Sequence, residues 1–316
     1  MNALIITLSN LGDLVLSLPA IDSFVAKYKD LDLKVICSNK TFEFLKSCKN
    51  ITELIVFNKR ANLREKLDLI KYLRKFYFDF IIDFKNSGLP LFLKKKASTP
   101  LFLNLPKNIH RKERHLLVLK KTIGDFEEKR RVLKFEILPE RKEYLDSLLN
   151  ISNPKEKVIF LGIGARSHLK RYTPEGFSFL IKKIKEKGFI PVSVGDSFDR
   201  EFSEFIKERF NLSFIDLCAK TKPQDLIYLF EKYAKAVISC DSFIMHLSSY
   251  LNIPTLGIFG PTSEKKYGPW SEKSRAVFKE NLKCRPCQKA VCKFCHECMR
   301  LLEPQKVWEK FLEILD

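Results

Sequence analysis

Residues 4–21 read LIITLSNLGDLVLSLPAI. An apolar run, Leu4 to Leu8, meets a polar corner at Ser9-Asn10-Leu11-Gly12-Asp13. A second apolar stretch follows with helical spacing, and Pro19 sits inside it. A buried strand that turns sharply into a helix opens an α/β unit, in which a parallel sheet is covered on both faces. The corner poses a choice about Asp13. Either it caps the helix, or it is a reactive carboxylate exposed at the carboxyl end of a strand.

Working outward, the same alternation repeats. DLKVICS is a strand, KTFEFLKSC a helix, ELIVFN a strand, LREKLDLIKYLRKFY an amphipathic helix and FDFIIDFK a strand. A basic, less regular stretch runs from Lys94 to Arg131, and RKEYLDSLLNISNPKEK reads as a helix entering a polar linker. At Val158 the alternation restarts and continues to the amphipathic helix EPQKVWEKFLEIL near the end. Within it, Pro174 near the start and Gly188 just past the end frame one helix. The expectation is two doubly wound, Rossmann-like α/β domains, residues 1–150 and 151–316, with ligands at the carboxyl ends of the strands in a cleft between them.

With 316 residues and 45% apolar content, the chain can bury two cores of ordinary size. It carries 57 Lys and Arg against 38 Asp and Glu, a formal charge of +19, which favours an acidic partner: a phosphorylated glycan, an anionic lipid surface or nucleic acid. The opening lacks the pattern of a secretory signal and there is no long uncharged apolar run, so the reading is a cytoplasmic protein with at most peripheral membrane contact. Nine cysteines in such a chain are expected to be reduced.

Two constellations carry chemistry. In CDSFIMHLSSYLNIPTLGIFGPT, a strand ends at Cys240, Asp241-Ser242 opens a helix and His246 lies on its first turns. Asp and Ser are good N-caps, and the same helix start suits a diphosphate. In GIGARSHLKRYTPEGF, a strand ends in small residues and a basic loop follows, with Arg166, Lys170 and Arg171. Cations there form a candidate pyrophosphate clamp. The tail holds Cys284, Cys287, Cys292, Cys295 and Cys298, spaced C-x2-C-x4-C-x2-C-x2-C with His296 inside. Read alone, it offers a structural zinc site (Cys284, Cys287, Cys292, Cys298), reduced thiols or disulfides; the interval between pairs is shorter than in zinc ribbons.

Together these segments resemble glycosyltransferase family 9, the ADP-heptose:lipopolysaccharide heptosyltransferases. The resemblance spans nearly the whole chain: the Leu-Gly-Asp corner, the Gly-Ala to Lys-Arg segment, the Asp-Ser to Gly-Pro-Thr segment and the Cys-rich ending, frequent among members that add the second heptose. It implies a GT-B fold and an inverting, metal-independent transfer of heptose from ADP-L-glycero-D-manno-heptose to the inner core of lipopolysaccharide, with no cofactor. Asp13 falls on the family's catalytic base, Lys170 on its phosphate-binding lysine, and Asp241, Ser242 and His246 on the donor motif. Arg166 and Asp199 (or Asp196) would complete the donor site. Arg60, Arg64 and Asn10, with neighbouring Lys59, would hold the acceptor, Kdo-lipid A or its heptosylated form, at the inner face of the cytoplasmic membrane. One departure is Phe243, where the family has glycine. The alternatives are a family 9 transferase using another nucleotide sugar for a different surface glycan, and a Cys-rich nucleic-acid-binding protein. The last is disfavoured because the basic residues spread over both halves with no aromatic–basic RNA motif.

Overall fold

A computed structural model describes residues 1–58, 60–151 and 158–315. Contacts divide the chain into two units, Met1–Glu136 and Ile137–Asp316.

In the first unit the order is β1 (Asn2–Ile6), α1 (Leu11–Lys27), β2 (Asp32–Cys37), α2 (Asn39–Leu45), β3 (Glu53–Val56), α3 (Leu63–Leu73), β4 (Phe78–Asp83), β5 (Lys95–Ser98) and α4 (Arg111–Ile123). A 3-10 turn, Leu89–Phe92, separates β4 from β5. The five strands are parallel in the order β3-β2-β1-β4-β5. Leu4, Ile5, Ile81 and Ile82 are fully buried, as expected of central strands covered on both faces. Pro19 lies inside α1, which nonetheless runs unbroken.

The basic stretch expected to be irregular contains β5 and the 13-residue α4. Seven charged or histidine side chains in α4 mask its apolar stripe, of which Leu116, Val118 and Leu119 are buried. A long-range tie comes from α1: Asp22, fully buried, accepts backbone N–H groups of Arg131, Val132 and Leu133 at 2.8–3.0 Å.

The second unit contains α5 (Pro139–Leu149), β6 (Val158–Gly162), α6 (Pro174–Glu186), β7 (Ile190–Val194), α7 (Ser197–Phe210), β8 (Ile215–Asp216), α8 (Asp225–Tyr233), β9 (Ala234–Cys240), α9 (Phe243–Tyr250), β10 (Thr255–Phe259), α10 (Glu264–Tyr267), β11 (Ser274–Phe278), α11 (Glu297–Arg300) and α12 (Pro304–Leu315). Its six parallel strands run β11-β10-β9-β6-β7-β8. A 3-10 turn, His168–Lys170, follows β6.

The division falls before α5, where a boundary at 150/151 had assigned that helix to the first domain. The reason is chemical. Arg141 on α5 pairs with Asp225 at 2.5 Å, and Asp146 accepts from Tyr228, Lys232 and Tyr233 of α8 at 2.5–2.9 Å. The polar linker expected beyond it includes residues 152–157, outside the described residues.

Candidate active site

Each sheet reverses its strand order at one point, and open α/β sheets bind ligands at the carboxyl edge there. In the first sheet the reversal lies at β1 and β4; in the second it lies at β6 and β9.

In the first unit the corner after β1 carries Asp13. The N-cap of α1 is Asn10, whose side chain caps no backbone group and instead donates from its amide to the Asp13 carboxylate at 3.0 Å. Asp13 therefore does not cap the helix. It stands half-buried in the first turn, stabilised by the positive helix end and oriented by Asn10. Across the reversal Asp83 ends β4, and its carboxylate is consumed by the following turn: Lys85 N, Ser87 N and Ser87 Oγ all donate to it at 2.7–3.0 Å. Between the ends of β1, β2 and β4 lies a cavity of about 240 Å³, walled by Ile6, Ile36, Phe57 and Leu69, with Lys66 and Lys85 bringing positive charge. Arg60 and Arg64 are exposed at the approach to α3 and its first turn. Lys59 is outside the described residues.

In the second unit the 3-10 turn after β6 brings Lys170 against the start of α9. Its Nζ is 2.7 Å from Asp241 Oδ2. His246 Nε2 stands 3.6 Å from the other Asp241 oxygen, and its ring stacks on Trp270 at 5.8 Å with 26° between planes. Asp241 and His246 are both buried. Ser242 is the N-cap of α9, but its hydroxyl bonds to Ser239 Oγ at 3.1 Å and makes no cap bond, so the first-turn N–H groups of α9 are not satisfied by it. A Cβ on Gly162 would fall 2.3 Å from Ser239 Oγ, so only glycine allows β6 and β9 this approach. Phe243 is half-buried in the first turn of α9, and Arg166 is exposed. Lys170, Asp241, Ser242 and His246 are thus brought together, with cation, dipole and imidazole converging.

Asp199 is not available in the same way. One carboxylate oxygen pairs with Arg171 at 3.0 Å and the other accepts from Asp196 N at 3.1 Å, while Asp196 caps α7. Burial against Gly164 and Gly195 raises its pKa above the ordinary carboxylate value. It ties the Arg171 loop to α7, and Asp196 serves the reciprocal cap.

The Cys-rich tail packs against the Gly-Pro-Thr corner and the turn that carries Lys170. Among the described residues no three His, Cys, Asp or Glu side chains are gathered as metal ligands, and Cys284, Cys287, Cys292 and Cys298 are free thiols. These four thiols line a cavity of about 470 Å³. Cys292 Sγ accepts from Phe294 N and His296 N at 3.4 Å, and burial pushes the Cys298 thiol up to about 11.

Sequence reasoning missed what holds this tail. Arg285 donates to Gly260 O at 2.6 Å and Thr262 O at 3.1 Å, pairs with Glu264 at 2.9 Å and lies 4.0 Å from the Phe278 ring centre. His296 bonds to the carbonyl of Leu169, next to Lys170. The tail therefore braces both the Gly-Pro-Thr corner and the Lys170 turn. The chain's one Asp-x-Asp triplet, Asp30-Leu31-Asp32, lies at the amino end of β2, where Asp32 is 3.5 Å from Lys34.

The model of glycosyltransferase family 9 (heptosyltransferase) matches residues 67–297. The chain belongs to glycosyltransferase family 9. The matched residues include Lys170, Asp241 and His246; Asp13 precedes them. A lipooligosaccharide heptosyltransferase 2 of Campylobacter jejuni is 26% identical over 96% of this chain and 95% of its own length. Two solved structures share the fold. The Escherichia coli ADP-heptose lps heptosyltransferase II has 20% identity, a TM-score of 0.76, and coverage of 100% of this chain and 98% of that one. A family 9 glycosyltransferase of Veillonella parvula has 18% identity, a TM-score of 0.81, and coverage of 99% and 97%. The fold is GT-B, and this family 9 member is a glycosyltransferase. No helix among the described residues is long and apolar enough to cross a membrane.

Proposed function

We propose that this family 9 enzyme transfers heptose from ADP-L-glycero-D-manno-heptose to the Kdo- or heptose-bearing inner core of lipopolysaccharide, with inversion and without a metal, at the cytoplasmic face of the membrane. The observation that carries the donor reading is the convergence of Lys170, Asp241 and His246 on the start of α9. A diphosphate takes the first-turn N–H groups and the Lys170 ammonium, which offset the charge that builds as the sugar leaves. His246 stacks on Trp270 beside this helix start.

Asp13 is the base. It removes the proton from the acceptor hydroxyl as that oxygen bonds to the anomeric carbon, and the bonding pair of the breaking C–O bond departs with ADP. Asn10 orients the carboxylate for this step. The relatives' names, lipooligosaccharide heptosyltransferase 2 among them, support heptose and a lipopolysaccharide-type acceptor.

The test is a donor screen with the purified protein. ADP-heptose, other ADP-sugars and UDP- and GDP-sugars are offered with Kdo-lipid A acceptors with and without a first heptose. Transfer from ADP-heptose alone is the expected result. Turnover with another nucleotide sugar and none with ADP-heptose would replace the heptose reading by a different surface-glycan transferase.

A further inference from the structure

The first unit leaves several large apolar side chains in water on neighbouring segments. Leu63 (72% exposed) and Leu67 (48%) lie one turn apart on α3, Leu91 (63%) and Phe92 (51%) lie on the 3-10 turn, and Phe102 (93%) tips the loop after β5. These segments are neighbours. Arg74, at the end of α3, donates to Phe92 O at 2.8 Å. Leu69 and Ile70 of α3 line the same cavity as Leu89 and Phe92. A Cβ on Gly88 would lie 3.9 Å from Leu101, so the loop bearing Phe102 abuts the 3-10 turn. Scattered exposed apolar residues need no account, but a contiguous group marks a contact surface.

Charge names the occupant. From Phe84 to Lys112 the sequence carries seven Lys or Arg and no Asp or Glu. Lys94 and Lys96 are exposed, and Arg74, just past α3, meets Phe92 O. Exposed apolar tips beside exposed cations are what an interfacial segment needs: the tips of Leu91, Phe92 and Phe102 enter the headgroup boundary and the cations of Lys94 and Lys96 meet anionic lipid.

We propose that the α3, 3-10 turn and β5-loop face docks on an anionic bilayer. Leu91 and Phe102 insert, and Lys94, Lys95 and Lys96 supply the attraction. The cavity between the β1, β2 and β4 ends opens beside this face, so docking brings a lipid-anchored anionic glycan to Lys66 and Lys85. This inference rests on the proposed lipid-linked acceptor, but its test does not use transfer activity.

The full chain is sedimented with phosphatidylcholine vesicles with and without phosphatidylglycerol, over a salt series. Three proteins are compared: wild type, Leu91→Ser/Phe102→Ser and Lys94→Gln/Lys95→Gln/Lys96→Gln, each checked for fold by circular dichroism. Wild type should bind the anionic vesicles at low salt and lose them as salt rises. The double Ser variant should bind roughly tenfold or more weakly. The Gln variant should lose roughly fivefold per lysine, and with it the preference for anionic lipid. Absence of wild-type binding, or variants that bind like wild type, would overturn the docking face while leaving the donor screen untouched. A wild type that binds single-stranded oligonucleotide instead, and loses it in these variants, would overturn it in favour of nucleic acid.

Discussion

Replacing Lys170 by Ala separates two roles for the Lys170–Asp241 pair. In the unliganded protein the ammonium neutralises a carboxylate whose side chain is only 4% exposed. Breaking a fully buried pair costs about 3–5 kcal/mol, because the survivor is left charged and dry. Lys170 itself is 31% exposed, so water can follow its removal, and about 1–2 kcal/mol of stability is the expected loss. Donor binding is a second quantity. A charge-assisted contact to a phosphate is worth about 1.5–3 kcal/mol. Here the ammonium is already paired with Asp241, so the diphosphate shares it and does not gain it afresh. The lower half of that range follows, roughly a ten- to fortyfold weaker ADP affinity. Calorimetric titration with ADP and thermal denaturation read the two effects independently. The double variant Lys170→Ala/Asp241→Asn removes the stranded charge and should recover most of the stability without recovering ADP affinity. A Lys170→Ala protein that melts early but binds ADP like wild type would leave Lys170 as a structural ion pair and refute the phosphate assignment.

Four other outcomes follow from the same geometry. Asp13→Asn should keep the melting temperature and ADP affinity while initial rates fall roughly 10²–10⁴-fold, and near-normal turnover would remove Asp13 from catalysis. Asp22→Ala strands three backbone donors and should cost about 3 kcal/mol or more in a denaturant titration; an unchanged midpoint would show that the 131–133 segment finds other acceptors. His115 is buried edge-on against Phe84, and burial holds its pKa down at about 3, so the native ring is neutral. Its contribution is complete above the unfolded value of about 6.5 and is lost as pH falls from there towards the folded value, about 2 kcal/mol by pH 5; His115→Phe should flatten that part of the stability–pH curve. EDTA should leave the initial rate of transfer intact, and inhibition reversed at once by Mg²⁺ or Mn²⁺ would break the proposed metal-free mechanism.

Much of this architecture is local, and local patterns are legible. Central strands buried on both faces read as unbroken apolar runs, and the corners at Asp13 and Asp241 stand out as polar residues between them. The helix α4 was hidden because its Lys and Arg residues outnumber the leucines that hold it down. The strand β11 is short, with exposed Arg275 at its second position, so it carries little alternation to detect. What sequence could not supply are pairings far apart in the chain. Arg285 reaches Gly260, Asp22 reaches the 131–133 backbone, and His246 meets Trp270. None of these leaves a periodic trace. Asp199 likewise holds Arg171 and the Asp196 N–H, ties that its spacing in the sequence does not show.

The choice among the aspartates at strand ends is then decided by what each already holds. Asp83 accepts three donors from one turn, and Asp199 is bound by Arg171 and a backbone N–H. Asp241 is buried and paired to Lys170, so its charge is spent on a cation. A general base needs an oxygen that can reach a substrate proton and a position where the new O–H is not expelled by a neighbouring positive charge. Asp13 meets both conditions among the described residues. Its hydrogen bond comes from a neutral amide, Asn10 Nδ2, and it remains half-buried, not sealed. The two reversal points therefore differ in kind. On the proposed mechanism, Lys170 and the α9 start of the second unit suit an anionic leaving group, and Asp13 of the first suits the acceptor proton.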